Sequence, residues 1–364
     1  MRIVYTCQDT TVAGGLERII CEKASAMAAR GHDVWLLVCN PPGREAAYPV
    51  DRRVHVADMA MAPPRGLWQR LRFKTRLSAM MRKALRDAAP DIVVAVPTWL
   101  SWAMMAGPWR LVLESHSSRR NLFSNERQSF YKRLKVAAAE RRADCVVALT
   151  AEESLNWPRA ARREVIPNFT SMIMPADTAP RSGRFMAAGR ISTEKGLDML
   201  VDAWAIVVRS HPEAMLDIYG EGRKKESIAA QIAEAGLEAN ISLKGIAADI
   251  AEAYATHKSL VLSSHYEGFG LVLIEAMRCG CAVVATDCPY GPREIVRHEA
   301  TGLLVPFRGL SRQERVQGIA DAVCRIIEDP ALTDRLAAEA RRDSSRYDTD
   351  TIMARWEALF ASLL

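Results

Sequence analysis

The chain predicts an α/β protein made of two doubly wound domains, and three observations carry that prediction. Its 364 residues exceed what one ordinary core holds. Short apolar runs alternate with amphipathic ones along the whole length. The alternation breaks at a polar, proline-containing stretch, 170–182, and then restarts. The expected boundaries are 1–170 for the first domain and 171–345 for the second. Residues 346–364 are expected to form a C-terminal helix packing back on the first domain.

In the first half, residues 2–6, 34–39, 92–96, 111–114, 145–149 and 164–166 read as strands because each is a short, β-branched or apolar run. Between them 16–30, 68–88 and 127–142 carry helical periodicity. In the second half the strands are 184–188, 214–219, 241–244, 260–262, 283–285 and 302–305, with helices at 196–210, 225–234, 271–278 and 310–328. Ile352, Trp356, Leu359, Phe360 and Leu363 share one helical face near the end of the chain, the pattern of a packing helix. Ligands of doubly wound sheets bind beyond the carboxyl ends of strands, so two such domains facing one another across a cleft would hold a ligand there.

Hydrophobic residues make up 49% and charged residues 25%, the balance of a soluble globular protein. Eight cysteines without a Cys-x-x-Cys pair fit neither a disulfide framework nor a zinc site, so reduced, intracellular thiols are expected. The first residues read as a strand rather than a signal peptide, and no apolar run reaches membrane-spanning length. A cytoplasmic location follows as the expectation. The net charge of +6 is unevenly spread: residues 1–180 hold 27 Lys/Arg against 17 Asp/Glu, while the remainder is net acidic. A cationic first half implies an anionic partner.

The run Ser264-His-Tyr-Glu267-Gly-Phe269-Gly270-Leu271 is the most informative stretch. A buried strand ends just before it, and a helix closed by Gly280 follows, with Glu275 about one turn in. A helix start offers unpaired N–H groups, and glycines let an anion approach. Phosphate on those amides, flanked by two carboxylates that accept from sugar hydroxyls, describes a nucleotide-sugar site. Gly189-Arg190 and Glu194-Lys195-Gly196 lie in a strand-to-helix loop of the same half, where two fixed cations could neutralise a departing diphosphate without a metal. A solvated basic loop is the plainer alternative. Gly14-Gly15 precedes the first helix, suiting a phosphate or merely a tight turn. It is neither the dinucleotide fingerprint nor a Walker loop. His116 ends a strand, from which it could meet a sugar hydroxyl or serve as a structural histidine. Asn168 either touches the donor or caps a turn.

Residues 65–86 contain eight basic residues and no acid: Arg65, Arg70, Arg72, Lys74, Arg76, Arg82, Lys83 and Arg86. Trp68 and Phe73 are interleaved, and Phe73, Leu77, Met81 and Leu85 repeat at i, i+4. A basic amphipathic helix of this kind fits an anionic membrane surface or acceptor, the alternative being a helix packed on the sheet with solvated charges. Arg119, Arg120, Arg127, Lys132, Arg133, Lys135, Arg141 and Arg142 add a second basic cluster. No nucleic-acid module accompanies the charge, so nucleic acid is not expected as a partner.

Taken together, these motifs resemble the retaining glycosyltransferases of family 4, whose two Rossmann-like domains form the GT-B fold. The matching pieces are Gly14-Gly15-Leu16-Glu17-Arg18, Arg30-Gly31-His32-Asp33-Val34, Val165-Ile166-Pro167-Asn168, Gly189-Arg190 with Glu194-Lys195-Gly196, Gly220-Glu221-Gly222, Glu267 through Glu275-Ala276-Met277, and Gly291-Pro292-Arg293-Glu294-Ile295 with Thr301-Gly302. They span essentially the whole chain in the family's order. The segment from Cys288 to Ile295 is similar to members that build capsule, O-antigen or related lipid-linked glycans. The resemblance implies that Arg190 and Lys195 hold the donor diphosphate, assisted by amides of Gly14, Gly15, Phe269, Gly270 and Leu271. It also implies that Glu275 accepts from the ribose, Glu267 from the transferred sugar, and that His116 lies against that sugar, with Gly220 and Asn168 on the donor side. Metal and cofactor are not expected. Transfer of a hexose-type sugar with retention, from a uridine diphosphate donor on family frequency, to a glycan or lipid-linked acceptor at the inner membrane face is the implied activity. Phe169 departs from the glycine many members have after the asparagine. A nucleotide-sugar epimerase and a non-catalytic nucleotide-sugar-binding module are the competing readings.

Overall fold

Thirteen strands, counted among the described residues, form two wholly parallel sheets. The computed structural model describes residues 1–62, 66–99, 101–116, 118, 130–173 and 181–364. The first sheet contains β1 (Arg2–Thr6), β2 (Asp33–Val38), β3 (His55–Asp58), β4 (Ile92–Ala95), β5 (Arg110–Ser115), β6 (Cys145–Ala148) and β7 (Arg163–Val165). Their spatial order is β3-β2-β1-β4-β5-β6-β7. The second contains β8 (Ser182–Ala188), β9 (Leu216–Tyr219), β10 (Ile241–Gly245), β11 (His257–Leu262), β12 (Ala282–Thr286) and β13 (Leu303–Val305), ordered β10-β9-β8-β11-β12-β13. Strands such as β4 (IVVA), β6 (CVVA) and β12 (AVVAT) are apolar at almost every position and fully buried, as helices on both faces of a parallel sheet demand. Strand order reverses beside β1 and β4, and again beside β8 and β11, where doubly wound folds place their ligands.

Two compact units result. Unit one is Met1–Phe169 with Thr349–Leu364, and unit two is Thr170–Asp348. The core of unit one gathers Val4, Leu37, Met81, Val93, Leu111, Val136 and Trp157. That of unit two is built on Phe185, Trp204, Val261, Val284, Ile319 and Leu336, with the Phe185 and Trp204 rings edge to face at 5.4 Å. All eight cysteines are free. Among the described residues no helix is long and apolar enough to cross a membrane.

Several elements differ from the sequence reading. Strand β3 escaped it because its residues are largely exposed at a sheet edge and leave no apolar run. Ser182, expected in the linker, opens β8; residues 174–180 of that linker lie outside the described residues. The helix expected over 127–142 is described as Phe130–Arg142. A further helix, Pro330–Asp343, follows the helix Arg312–Glu328. Pro330 looks like a stop signal, yet at the first helical position it loses nothing, and Asp329 caps the turn by accepting from Leu332 N–H at 2.9 Å.

The helix Thr349–Leu363 belongs to unit one and buries Ile352, Met353, Trp356, Leu359 and Phe360. Its clamp explains the Arg30-Gly31-His32 motif. Arg30 grips Glu357 with two hydrogen bonds, at 3.1 and 2.8 Å, and His32 Nε2 lies 2.9 Å from the same carboxylate. Hydrogen bonding from Arg30, against a small burial cost and then with help from His32, holds the Glu357 carboxyl down at about 2. The folded state binds that proton less readily than the unfolded chain. The clamp is therefore intact above the ordinary 4.5 and is lost as the pH falls towards 2. Tryptophan emission should change over that window in the wild type, and Glu357→Gln should flatten the change; identical acid profiles for the two proteins would refute the clamp.

Candidate functional site in the carboxyl-end loops

In unit two the loops leaving β8 and β11 lie back to back. The β8 loop ends in a short turn, Thr193–Lys195, before the helix Leu197–Ser210. Ser263 donates its hydroxyl to Lys195 O at 3.0 Å, and His265 N–H donates to Glu194 O at 2.8 Å. This stitching brings Lys195 Nζ to 2.7 Å from Glu267 Oε1, which also accepts from Ser264 Oγ at 2.6 Å. Glu267 is buried and Lys195 half-buried, so the pair works in a partly dry environment. Arg190 is exposed on the same loop. Hydrogen bonds from Ser192 and from its own backbone, then the Arg190 charge, hold the Glu194 carboxyl below its usual range against the cost of burial.

Two glycines set the backbone spacing. A Cβ on Gly220, in the loop after β9, would sit 2.0 Å from Gly189 O, and its φ of +131° is a conformation L residues rarely adopt. A Cβ on Gly291 would sit 1.9 Å from Phe269 O, again at positive φ. Glu267 N–H donates to Pro289 O at 3.1 Å, so the 266–270 loop is pressed between its two neighbours. Phe269 is buried with its ring on Tyr347, 5.8 Å away, leaving its backbone as the part that can meet a ligand. Gly270 caps the helix Leu271–Arg278, whose first amides have no intrahelical acceptor. Glu275 lies inside that helix, buried, with Oε2 accepting from Tyr254 Oη at 3.0 Å. Sequence reasoning missed Tyr254 and the 2.7 Å contact and gave Ser264, the first residue of the quoted run, no role; Tyr254 gave no signal.

In unit one Gly14 precedes the helix Gly15–Ala29 at the carboxyl end of β1. His116 directly follows β5, its side chain 7% exposed, and Nε2 lies 3.1 Å from Glu114 Oε1. Lys23, on the first helix, forms a buried ion pair with the same oxygen. Burial alone would raise the Glu114 carboxyl; the charges of Lys23 and His116 outweigh it and hold it at about 2. Asn168 is buried, and among the described residues its Oδ1 has no hydrogen-bond partner. A lone acid within the apolar strand segment Leu111-Val-Leu-Glu114 was the available signal for the Lys23 pair.

The basic helix is Leu67–Ala88, and here the sequence reading needs a correction. Its i, i+4 stripe faces the protein core: Met81 and Leu85 are buried, and Phe73 and Leu77 pack against the same cluster. Phe73 is therefore a packing residue. Trp68, 80% exposed, and exposed Arg72, Lys74 and Arg76 form the outward side. Arg65, Arg119, Arg120 and Arg127 lie outside the described residues, as does the side chain of Arg70. Burial, then the charges of Lys74 and Lys132, lower the Lys135 amine, which places three like charges together. Among the described residues no cluster of His, Cys, Asp and Glu could hold a metal ion.

The family described as Glycosyltransferase Family 4 matches residues 13–171, and that described as Glycosyl transferases group 1 matches residues 178–343. An exopolysaccharide phosphotransferase of Streptomyces coelicolor is 28% identical over the whole of this chain, which spans 41% of that protein's length. Among solved structures, the sucrose-phosphate synthase of Thermosynechococcus elongatus superposes with a TM-score of 0.83 at 22% identity, covering 99% of this chain and 98% of that one. Anabaena HepE, solved with UDP and glucose, gives 0.73 at 22% identity over 100% of both chains. These matches do not favour an epimerase or a non-catalytic module. The chain belongs to the group 1 and family 4 glycosyltransferases of the GT-B fold.

Proposed function

We propose that the protein moves a hexose-type sugar, with retention, from a UDP-sugar to a glycan or lipid-linked acceptor in cell-surface polysaccharide synthesis. The observation that carries this reading is the 2.7 Å contact of Lys195 with Glu267 at the carboxyl ends of β8 and β11, beside a glycine-capped helix start. As the bond from the anomeric carbon to the diphosphate breaks, negative charge grows on the leaving oxygens. Arg190 and Lys195 neutralise it, and amides of Phe269, Gly270 and Leu271, together with Gly14 and Gly15, supply further donors. Lys195 thus exchanges Glu267 for phosphate, and Glu267 turns to hydroxyls of the transferred sugar. Glu275 accepts from the ribose, with Gly220 and Asn168 on the donor side, and His116 meets the sugar. The acceptor hydroxyl oxygen bonds to the anomeric carbon on the face that the diphosphate leaves, and its proton passes to the departing phosphate oxygen. No step calls for a metal. The UDP held by Anabaena HepE and the exopolysaccharide in the name of the Streptomyces relative support the donor and product classes.

A thermal-shift screen of UDP-glucose, UDP-N-acetylglucosamine, UDP-galactose and GDP-mannose tests the donor. A saturating UDP-sugar should raise Tm by a few degrees, in proportion to occupancy; silence from all three UDP-sugars would remove the donor assignment. Tyr254→Phe removes the hydrogen bond that orients Glu275 Oε2 and should weaken donor binding about fivefold, roughly 1 kcal/mol, with kcat little changed. The outward cations of Leu67–Ala88, with Trp68, are assigned to an anionic membrane at the inner face of the cytoplasmic membrane. Co-flotation with phosphatidylglycerol vesicles that Trp68→Ala and high salt both reduce is the expected result, and indifference to both would overturn it.

A further inference from the structure

Lys23 and Glu114 form an ion pair deep in unit one, both with almost no exposed surface. Burying two charges costs several kcal/mol per ion, and well-packed apolar residues usually serve stability as well or better. Stability is thus a poor reason for this pair. Three elements converge on it: the first helix supplies Lys23, β5 supplies Glu114, and the C-terminal helix lays the Trp356 ring 4.2 Å from the Lys23 ammonium. The Tyr5 hydroxyl beside them is buried with no hydrogen-bond partner among the described residues, and burial followed by the Glu114 charge raises it far above its usual range. What the carboxylate does reach is the His116 ring: Nε2 lies 3.1 Å away, sealed from solvent and too poorly aligned for a hydrogen bond.

We infer that the Lys23–Glu114 pair is a positioning device that fixes the His116 tautomer with the proton on Nε2, leaving Nδ1 as the ring's acceptor. A lone pair on Nε2 would face a full negative charge at 3.1 Å, whereas an N–H there turns the positive end of its dipole towards that charge. Lys23 keeps the carboxylate ionised, and the Nε2 edge admits no water to offer an alternative. The device acts through His116 and touches no substrate. In the transfer it leaves Nδ1 to accept from a sugar hydroxyl, and this part rests on the sugar contact assigned to His116 above.

Long-range proton–nitrogen spectra of the full chain, labelled at histidine nitrogens, distinguish proton-bearing from lone-pair ring nitrogens. The His116 signals are those absent from His116→Ala. At neutral pH the wild type should show the Nε2–H form. The double variant Lys23→Met/Glu114→Gln removes both charges together, so no ion is stranded and the fold survives. It should show a mixture of tautomers, and its UDP-sugar kcat should fall about tenfold to a hundredfold while donor KM stays within about twofold. An Nδ1–H wild type, or a double variant with an unchanged His116 spectrum, would overturn the inference. Full activity in His116→Ala would instead remove the sugar contact and leave the tautomer result standing, so the two ideas fail separately.

Discussion

Replacing Lys195 with alanine should lower kcat for UDP-sugar turnover by about a hundredfold to a thousandfold, the usual cost of deleting one group aimed at a developing anion. Stability should hardly move. The side chain is about one-fifth exposed, and Glu267 keeps its 2.6 Å hydrogen bond from Ser264 when the ammonium is gone. Arg190→Ala should act in the same direction with even less effect on Tm, because Arg190 is exposed on its loop. Initial rates with saturating donor, set beside Tm, check both variants. Activity within about threefold of wild type in either folded protein would remove that cation from the transition state.

Lys23→Met should destabilise the protein by about 3–5 kcal/mol, because it strands Glu114 as an unpaired buried carboxylate. The pH dependence follows from signs. In the wild type Glu114 titrates at about 2, so its contribution is present above the ordinary 4.5 and lost as pH falls towards 2. Once Lys23 is gone, burial, the largest influence on the group, pushes the carboxyl upward. The folded state then holds a proton that the unfolded chain releases, and stability falls as pH rises. The deficit of Lys23→Met should therefore be larger at pH 7 than at pH 4 in urea melts. Adding Glu114→Gln should recover most of it. An equal deficit at both pH values, or a double variant no better than the single, would contradict a stranded charge.

The doubly wound architecture was legible because parallel strands buried on both faces must be apolar almost throughout, as in β4, β6 and β12. Edge strand β3 was not, since its residues are largely exposed to water and carry no pattern. Around the site, Arg190, Lys195, Glu267 and Glu275 stood out as charges beside glycine turns. Their partners did not, because Tyr254 reaches Glu275 across 21 positions and Ser264 looks like any loop serine. The sequence reading gave Lys23 no role, yet it is among the most buried side chains of the described residues. The basic helix misled in the other direction: its apolar stripe was free to suit a membrane on paper and is occupied by the core in the fold.

The ownership of the last helix by unit one bears on how the chain is made. Synthesis delivers residues 1–169 first, then the whole of unit two, and only then Thr349–Leu364. At about 5–20 residues per second, roughly 10–40 s separate the end of the first segment from the helix that completes it. Through that interval the Lys23–Glu114 pair waits without the Trp356 lid, and Arg30 and His32 wait without Glu357. The unit begun first is the one finished last, and a nascent chain halted before residue 349 carries an uncovered apolar seam.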